Sequence, residues 1–356
     1  MRILIDIGHP AHVHYFRNFI SIMQSKGHEF YITARDKEVV FSLLDYYRLP
    51  YVSRGKGGKG LLGKLMYIPK ADRFILKAAR KFKPDLFLSF ASSYAAHAAF
   101  LTGRPHIAFD DTDHAIFEHM MYVPFTRAIA TPRAFMKDFG KKHVRFDSYM
   151  ELCSLHPSYF RPDPELLQKS GIAIGEKYAV IRLVSWKASH DIGLSGISNE
   201  CVRELVRTLS LSGRVIISSE SDLADDLKQY QYTFHPAQMH QLLYHAKVFI
   251  GESITMSAEA SFLGTPALCK SSAIAGVMNE QTSMGLYRLF DDEKELVDRA
   301  NEIFSDPSGK LKITEFNRKL VSGKIDPTAF MVWFVENYPE SFRVMKQNPD
   351  YQNTFR

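Results

Sequence analysis

Three groups of polar residues stand where apolar runs end, and each combines residue types that suit chemistry. The first is Gly8-His9-Pro10-Ala11-His12-Val13-His14, directly after the apolar run RILIDIG. It puts three imidazoles on a loop and a helix N-terminus, where the helix dipole depresses a histidine pKa and favours the neutral ring that a general base requires. His14 is the candidate base and His9 and His12 are candidate substrate contacts; local capping and packing are the alternative for the last two. The second group, Asp110-Asp111-Thr112-Asp113-His114-Ala115-Ile116-Phe117-Glu118, follows the apolar run HIAF. Asp111 is placed as the partner that orients His14. Asp110, Asp113, His114 and Glu118 are candidate contacts to substrate hydroxyls, with His114 and Glu118 on one face if a helix begins at Thr112. Glu151 is a further candidate of this kind. Asx-turns and N-caps are the alternative for the aspartates, and an oxygen-ligated divalent ion is a second one, although no metal is assigned.

The third group is Glu252-Ser253-Ile254-Thr255-Met256-Ser257-Ala258-Glu259, after VFIG. Hydroxyl residues and free backbone N–H groups at a helix start make an anion site that suits a diphosphate, so Ser253 and Ser257 are assigned to it, with Glu252 beside them. Glu259 lies farther along the helix, where one carboxylate can accept from both hydroxyls of a ribose. Lys187 and His190, after the run YAVIRLV, add a cation and an imidazole, and Ser219 and Glu220 follow the run RVIIS.

These residues need elements to position them. Arg2 to Gly8 reads as a strand, Val13 to Lys26 as a helix and Glu29 to Ala34 as the next strand, a βαβ unit with Gly27 at the helix C-terminus. Strands continue at Pro50–Val52, Asp85–Phe90 and His106–Phe109, alternating with helices as in a parallel sheet covered on both faces. The same grammar restarts at Tyr178 after Pro157, Pro162 and Pro164. The expected division is therefore residues 1–165, an acceptor-side domain, residues 176–325, a nucleotide-binding domain, and a tail at 326–356 that crosses back to the first. Ligands of such α/β sheets bind beyond the C-terminal strand ends, where all three groups fall. The first loop lacks the G-x-G-x-x-G spacing, so a dinucleotide cofactor is not encoded there and no cofactor is assigned.

An apolar fraction of 46% is compatible with two packed cores. No apolar run is long enough to span a bilayer, and no leader pattern precedes the first strand, which points to the cytoplasm. Cys153, Cys201 and Cys269 are odd in number and widely spaced, which indicates neither a disulfide framework nor a zinc site. The net charge of +6 is concentrated in Arg54, Lys56, Lys59, Lys64, Lys70, Arg73, Lys77, Arg80, Lys81 and Lys83. With the apolar residues between them, this segment suits peripheral contact with an anionic membrane surface. No nucleic-acid module accompanies the charge, so nucleic acid is not expected as a partner.

The words DIGHPAHVHYFRNF (6–19), FDDTDHA (109–115) and GESITMSAEASFLGTPAL (251–268) resemble a family of bacterial and archaeal proteins with the two-Rossmann architecture of GT-B glycosyltransferases. More distantly, the third word is similar to a stretch shared by the lipid-linked N-acetylglucosaminyltransferase of peptidoglycan synthesis and the non-hydrolysing UDP-N-acetylglucosamine 2-epimerase. The resemblance implies an α/β fold of two facing Rossmann-like domains and a glycosyltransferase acting on a nucleotide sugar, a UDP-sugar first. The acceptor it implies is a polysaccharide or lipid-linked sugar. A 2-epimerase and a non-catalytic sugar-nucleotide binder are the alternatives. It also implies that Glu259 contacts the ribose and that Glu252 and Ser253 lie near the phosphates. Two departures stand out: GHPAHVH replaces a glycine-rich first loop, and Gly251-Glu252 replaces a Gly-Gly pair, placing a carboxylate where a diphosphate would lie.

Overall fold

The computed structural model describes residues 1–58, 60–184, 196–271 and 276–356. Lys59, Trp186, Lys187 and His190, as well as the side chain of Lys64, lie outside the described residues. The chain divides into two compact units. Unit 1 comprises Met1–Tyr159 and Lys324–Arg356 with Gly276 and Val277; unit 2 comprises the described residues from Phe160 to Ser271 and from Met278 to Gly323.

Unit 1 opens with β1 (Arg2–Ile7), α1 (Pro10–Ser25), β2 (Glu29–Ala34), α2 (Val40–Tyr46), β3 (Tyr51–Ser53) and α3 (Gly60–Phe82). It continues with β4 (Leu86–Phe90), α4 (Ser93–Thr102), β5 (His106–Phe109), α5 (Ile116–Tyr122), β6 (Ala128–Pro132), β7 (His143–Phe146) and α6 (Leu152–Leu155). Its strands are parallel in the order β3-β2-β1-β4-β5-β6-β7. The order reverses between β1 and β4, so the crevice beyond their C-terminal ends is the topological switch point, where such sheets take ligands.

Unit 2 contains α7 (Pro164–Lys169), β8 (Tyr178–Leu183), α8 (Asn199–Leu209), β9 (Arg214–Ser219), α9 (Met239–His245) and β10 (Val248–Gly251). After these come α10 (Ile254–Phe262), β11 (Ala267–Cys269), α11 (Gly276–Ser283), whose first two residues belong to unit 1, β12 (Arg288–Leu289), α12 (Glu293–Ser305) and α13 (Gly309–Ser322). The parallel order β12-β11-β10-β8-β9 places its switch point between β8 and β10. The chain ends in α14 (Pro327–Glu336) and α15 (Glu340–Gln347), both in unit 1, where Ser148 Oγ donates to Ile325 O (2.8 Å) and Thr328 Oγ1 to Cys153 O (3.0 Å). Two parallel sheets, each flanked by helices, make this a GT-B-like two-Rossmann α/β fold.

Local sequence sets the helix ends near the sites. α1 begins three residues before the expected Val13 because Pro10, whose fixed φ suits the first helical turn, follows His9 in an extended N-cap conformation. Gly27 (φ 85°) occupies the left-handed position just past its end. Ser92 caps α4 through Ala95 N, and Ser253 caps α10 through Met256 N. The strands β1, β4 and β5 are buried almost throughout, so Ile3, Leu4, Ile5, Phe87, Leu88, Ile107 and Phe109 fill the centre of unit 1.

α3 corrects part of the expected basic surface. Arg54 is buried, Tyr67, Ala71, Ile75 and Ala79 face the core, and only the outer face is basic, with Lys70, Arg73, Lys77 and Arg80 exposed at helical spacing. α3 packs on α4 and α4 on α5, whose Ile116, Phe117 and Met120 are exposed. No helix among the described residues is long and apolar enough to cross a membrane.

Candidate functional site

The floor of the unit 1 crevice is a buried ion pair absent from the sequence expectations. Asp6, at the C-terminal end of β1, accepts from Arg54 Nε (2.9 Å) and Nη2 (3.3 Å), from Thr33 Oγ1 (2.8 Å) and from Ser92 Oγ (2.6 Å). Arg54 also donates to the Tyr67 hydroxyl (2.8 Å) and lies over the Tyr94 ring. The carboxylate therefore ties together the C-terminal ends of β1 and β2 and the loops after β3 and β4, beneath the histidine loop.

Above this floor, His12 Nδ1 accepts from Gly8 N and His9 Nδ1 from Ala11 N, each at 3.3 Å. Both imidazoles are held neutral: His12 well below the usual range, by burial and then by His9, Lys37 and Arg54; His9 down to about 4, by the surrounding protein and Lys37. The expected direction holds, and burial and neighbouring cations contribute to it. Acceptance at Nδ1 puts the proton of each neutral ring on Nε2. The His12 ring packs 4.8 Å from Phe90 at the end of β4. His14 is buried in α1 with its ring edge-on to Tyr47, 6.0 Å away.

The aspartate group divides by role. Asp110 is fully buried and accepts from His119 Nε2 (3.0 Å), the Tyr122 hydroxyl (2.7 Å) and Thr112 N (3.0 Å), while Lys137 Nζ lies 3.0 Å from His119 Nδ1. These three bonds make Asp110 a tie that holds the loop after β5. Asp113 is likewise buried and accepts from Met136 N (2.7 Å). The helix begins at Ile116 rather than Thr112, so His114 sits in the preceding turn and does not share a helical face with Glu118; both are exposed. Asp111 accepts from Thr112 Oγ1 (3.0 Å). Burial, then the charges of Glu151 and Asp110, push its carboxyl well above the usual range, which favours the protonated form. Glu151, the source of the first of those charges, is buried.

In unit 2 the switch point is bridged by Glu252. Its Oε2 accepts from Val184 N (2.7 Å) and its Oε1 from Ile197 N (2.5 Å), so one carboxylate holds both backbone ends that flank residues 185–195. This resolves the anomaly of Gly251-Glu252: the charge is bonded to two amides. Ser253 is the α10 N-cap, and Ser257 is buried with its hydroxyl donating to Ser253 O (2.9 Å), which holds its proton within the first turn. Glu259 is buried on α10 with Oε1 3.3 Å from His240 Nε2, and burial raises its pKa to about 8. At the end of β9, Ser219 Oγ donates to Ser221 O (2.7 Å), and Glu220 pairs with Arg182 (2.5 Å), which also donates to Ser218 Oγ. Among the described residues no group of three or more His, Cys, Asp or Glu is arranged to hold a metal ion.

The family described as a protein of unknown function (DUF354) matches residues 1–338. The chain belongs to it. A DUF354 chain with this fold has a curated relative in Methanocaldococcus jannaschii, an uncharacterized protein 23% identical over 346 residues, 94% of this chain and 97% of that one. Among solved structures it is similar to the S. aureus MnaA–UDP complex (TM-score 0.68, 11% identity, covering 96% of this chain and 97% of that one). It is also similar to the UDP-GlcNAc 2-epimerase of Neisseria meningitidis bound to UDP-GlcNAc (0.61, 13%, 91% and 99%) and to the spinosyn forosaminyltransferase SpnP (0.63, 14%, 94% and 98%). These likenesses establish a fold shared by epimerases and glycosyltransferases.

Proposed function

We propose that this protein is a GT-B-type glycosyltransferase that takes its sugar from a nucleotide sugar, a UDP-sugar first. The observation that carries the reading is the arrangement at the unit 2 switch point. The α10 N-terminus, capped by Ser253, presents backbone N–H groups beyond β10, and Glu259 follows on the same helix with His240 against it. A diphosphate suits the first and the two hydroxyls of a ribose suit the second. The ligands of two similar solved structures, UDP and UDP-GlcNAc, are of this class. In unit 1, His9 and His12 donate to substrate through Nε2, and His14 takes the proton of the acceptor hydroxyl. Lys187 neutralises the leaving diphosphate and His190 assists it. The acceptor is a polysaccharide or lipid-linked sugar, brought in where the basic face of α3 and the apolar face of α5 rest on the cytoplasmic side of a membrane.

One observation favours a second reading, epimerisation at C2 of a UDP-N-acetylhexosamine. The Asp111 carboxyl, pushed up by burial and by the charge of Glu151, forms with Glu151 a carboxyl set able both to give and to take a proton, as an isomerisation requires. Product analysis separates the two readings. The purified protein is incubated with UDP-, GDP-, dTDP- and CMP-sugars, with and without a lipid-linked sugar acceptor, and the products are resolved by chromatography and mass spectrometry. Acceptor-dependent release of nucleoside diphosphate, lost in His14→Ala, is the expected result. A 2-epimer formed without acceptor, and lost in Asp111→Asn, would replace the transferase reading. No turnover of any donor would overturn both.

A further inference from the structure

At the opposite end of the unit 2 strands lies an open cavity of about 220 Å³, lined by α7, the approach to β8, the α9–β10 junction and α13. Lys177 immediately precedes β8 and Lys247 immediately precedes β10, so the cavity sits at the N-terminal strand ends, away from Glu252 and Ser253. Its charged and imidazole lining is Lys177, Lys247, Lys310 and His245 with one carboxylate, Glu176; Pro164 and Leu167 supply apolar wall.

The cations are fixed by carbonyl and hydroxyl groups rather than by carboxylates. Lys310 Nζ donates to Tyr244 O (2.5 Å) and Ala246 O (2.6 Å), Lys247 Nζ to Asp306 O (2.6 Å), and Lys177 Nζ to Ser212 Oγ (3.1 Å). Among the described residues none of the three lysines has a carboxylate within ion-pair distance. The nearby carboxylates have other partners: Glu176 accepts from Ala173 N and pairs with Arg214, Asp163 caps α7, and Asp306 accepts from Ser308. An ammonium has three N–H groups, so Lys310 keeps one beyond its two carbonyls. The buried Nε2 of His245 has no hydrogen-bond partner among the described residues. Burial and the neighbouring Lys247 charge bring Lys310 down to about 8, and burial with the Lys310 charge lowers His245. Around one void Lys247 repels both Lys310 and Lys177, Asp306 offsets part of this at Lys247, and a bound anion would relieve the rest.

We propose that this cavity is an anion site, independent of the nucleotide-sugar site, that takes the phosphate or diphosphate group of a small molecule through Lys310, Lys247, Lys177 and His245. The volume suits a phosphorylated small molecule, and the apolar wall leaves room for a short organic portion.

Inorganic phosphate and pyrophosphate are the probes, each compared with sodium chloride at equal ionic strength. Thermal unfolding of wild type, Lys310→Met, Lys247→Met and Glu259→Ala is measured alongside the acetylation rate of Lys310 at pH 8, followed by mass spectrometry. A saturable rise in Tm in wild type and Glu259→Ala, absent from the two lysine variants, is expected. Pyrophosphate should also slow acetylation of wild-type Lys310 at least tenfold while leaving Lys70 and Lys77 unaffected. Equal Tm shifts in the lysine variants, or unprotected acetylation of Lys310, would show that these lysines only cap the carbonyls of α9 and α12. Should a lysine variant fail to fold, the wild-type acetylation result decides alone. Protection in a protein that binds no nucleotide sugar would uphold this site and reject the proposed function; the converse result would do the reverse.

Discussion

Glu259 and Asp111 are both carboxyl groups whose surroundings favour the neutral form. For Glu259 the shift is from the ordinary 4.5 to about 8. A carboxyl whose folded pKa exceeds its unfolded one binds its proton more tightly in the folded state. Its contribution is therefore complete below about pH 4.5 and is lost as pH rises through about 8. Glu259→Gln should flatten the decline of stability across that window, as read by urea unfolding at successive pH values; an unchanged pH profile would remove the assigned shift. The pair of Asp6 and Arg54 obeys a different rule, because removing one partner leaves a buried charge. Arg54→Met should cost about 3–5 kcal/mol in the same assay, and the double variant with Asp6→Asn should recover part of it. A cost under about 1 kcal/mol would mean that water reaches the pair.

These residues also show what the chain discloses before it folds. The three clusters could be found because they end apolar runs, and strand ends are where such folds place chemistry. Asp6 was legible only as a lone acid inside an apolar strand, and Arg54 was read as surface charge because its partner lies 48 residues away. Whether Ser257 and Asp110 face a ligand or the protein interior depends on side-chain direction, which spacing alone does not fix.

At the scale of elements, β1, β2, β4, β5 and the strands of unit 2 from β8 to β11 could be read from short β-branched or aromatic runs bounded by turns. β6 and β7 were not, since AIATP ends in proline and HVRF has only four residues with two polar ones. Their pairing is supplied by neighbouring strands rather than by local pattern. The helix starts carry separable predictions. Ser253→Ala removes the α10 cap and should lower stability by about 1 kcal/mol. Glu252→Ala leaves the amides of Val184 and Ile197 without their acceptor, which should cost about 1–3 kcal/mol. Hydrogen exchange checks the second directly: Val184 and Ile197 should lose protection while β10 keeps it, and unchanged protection would assign those amides another acceptor.

At the scale of the whole molecule, the two-Rossmann plan explains why so much polar chemistry gathers at sheet ends, and the outer face of unit 1 explains part of the net charge. Each basic side chain near an anionic bilayer contributes about 1 kcal/mol. Reversing Lys70, Arg73, Lys77 and Arg80 to Glu should therefore weaken co-sedimentation with phosphatidylserine vesicles by on the order of a thousandfold. Binding that survives the reversal would exclude α3 as a membrane contact. The most direct measurement of the central claim is calorimetric titration of UDP and UDP-sugars into wild type, Glu259→Ala and His14→Ala. The account predicts saturable binding by wild type, weakened at least tenfold by loss of the Glu259 carboxyl and unchanged by loss of the His14 ring. Equal affinity in the Glu259 variant, or no binding of any nucleoside diphosphate, would contradict it.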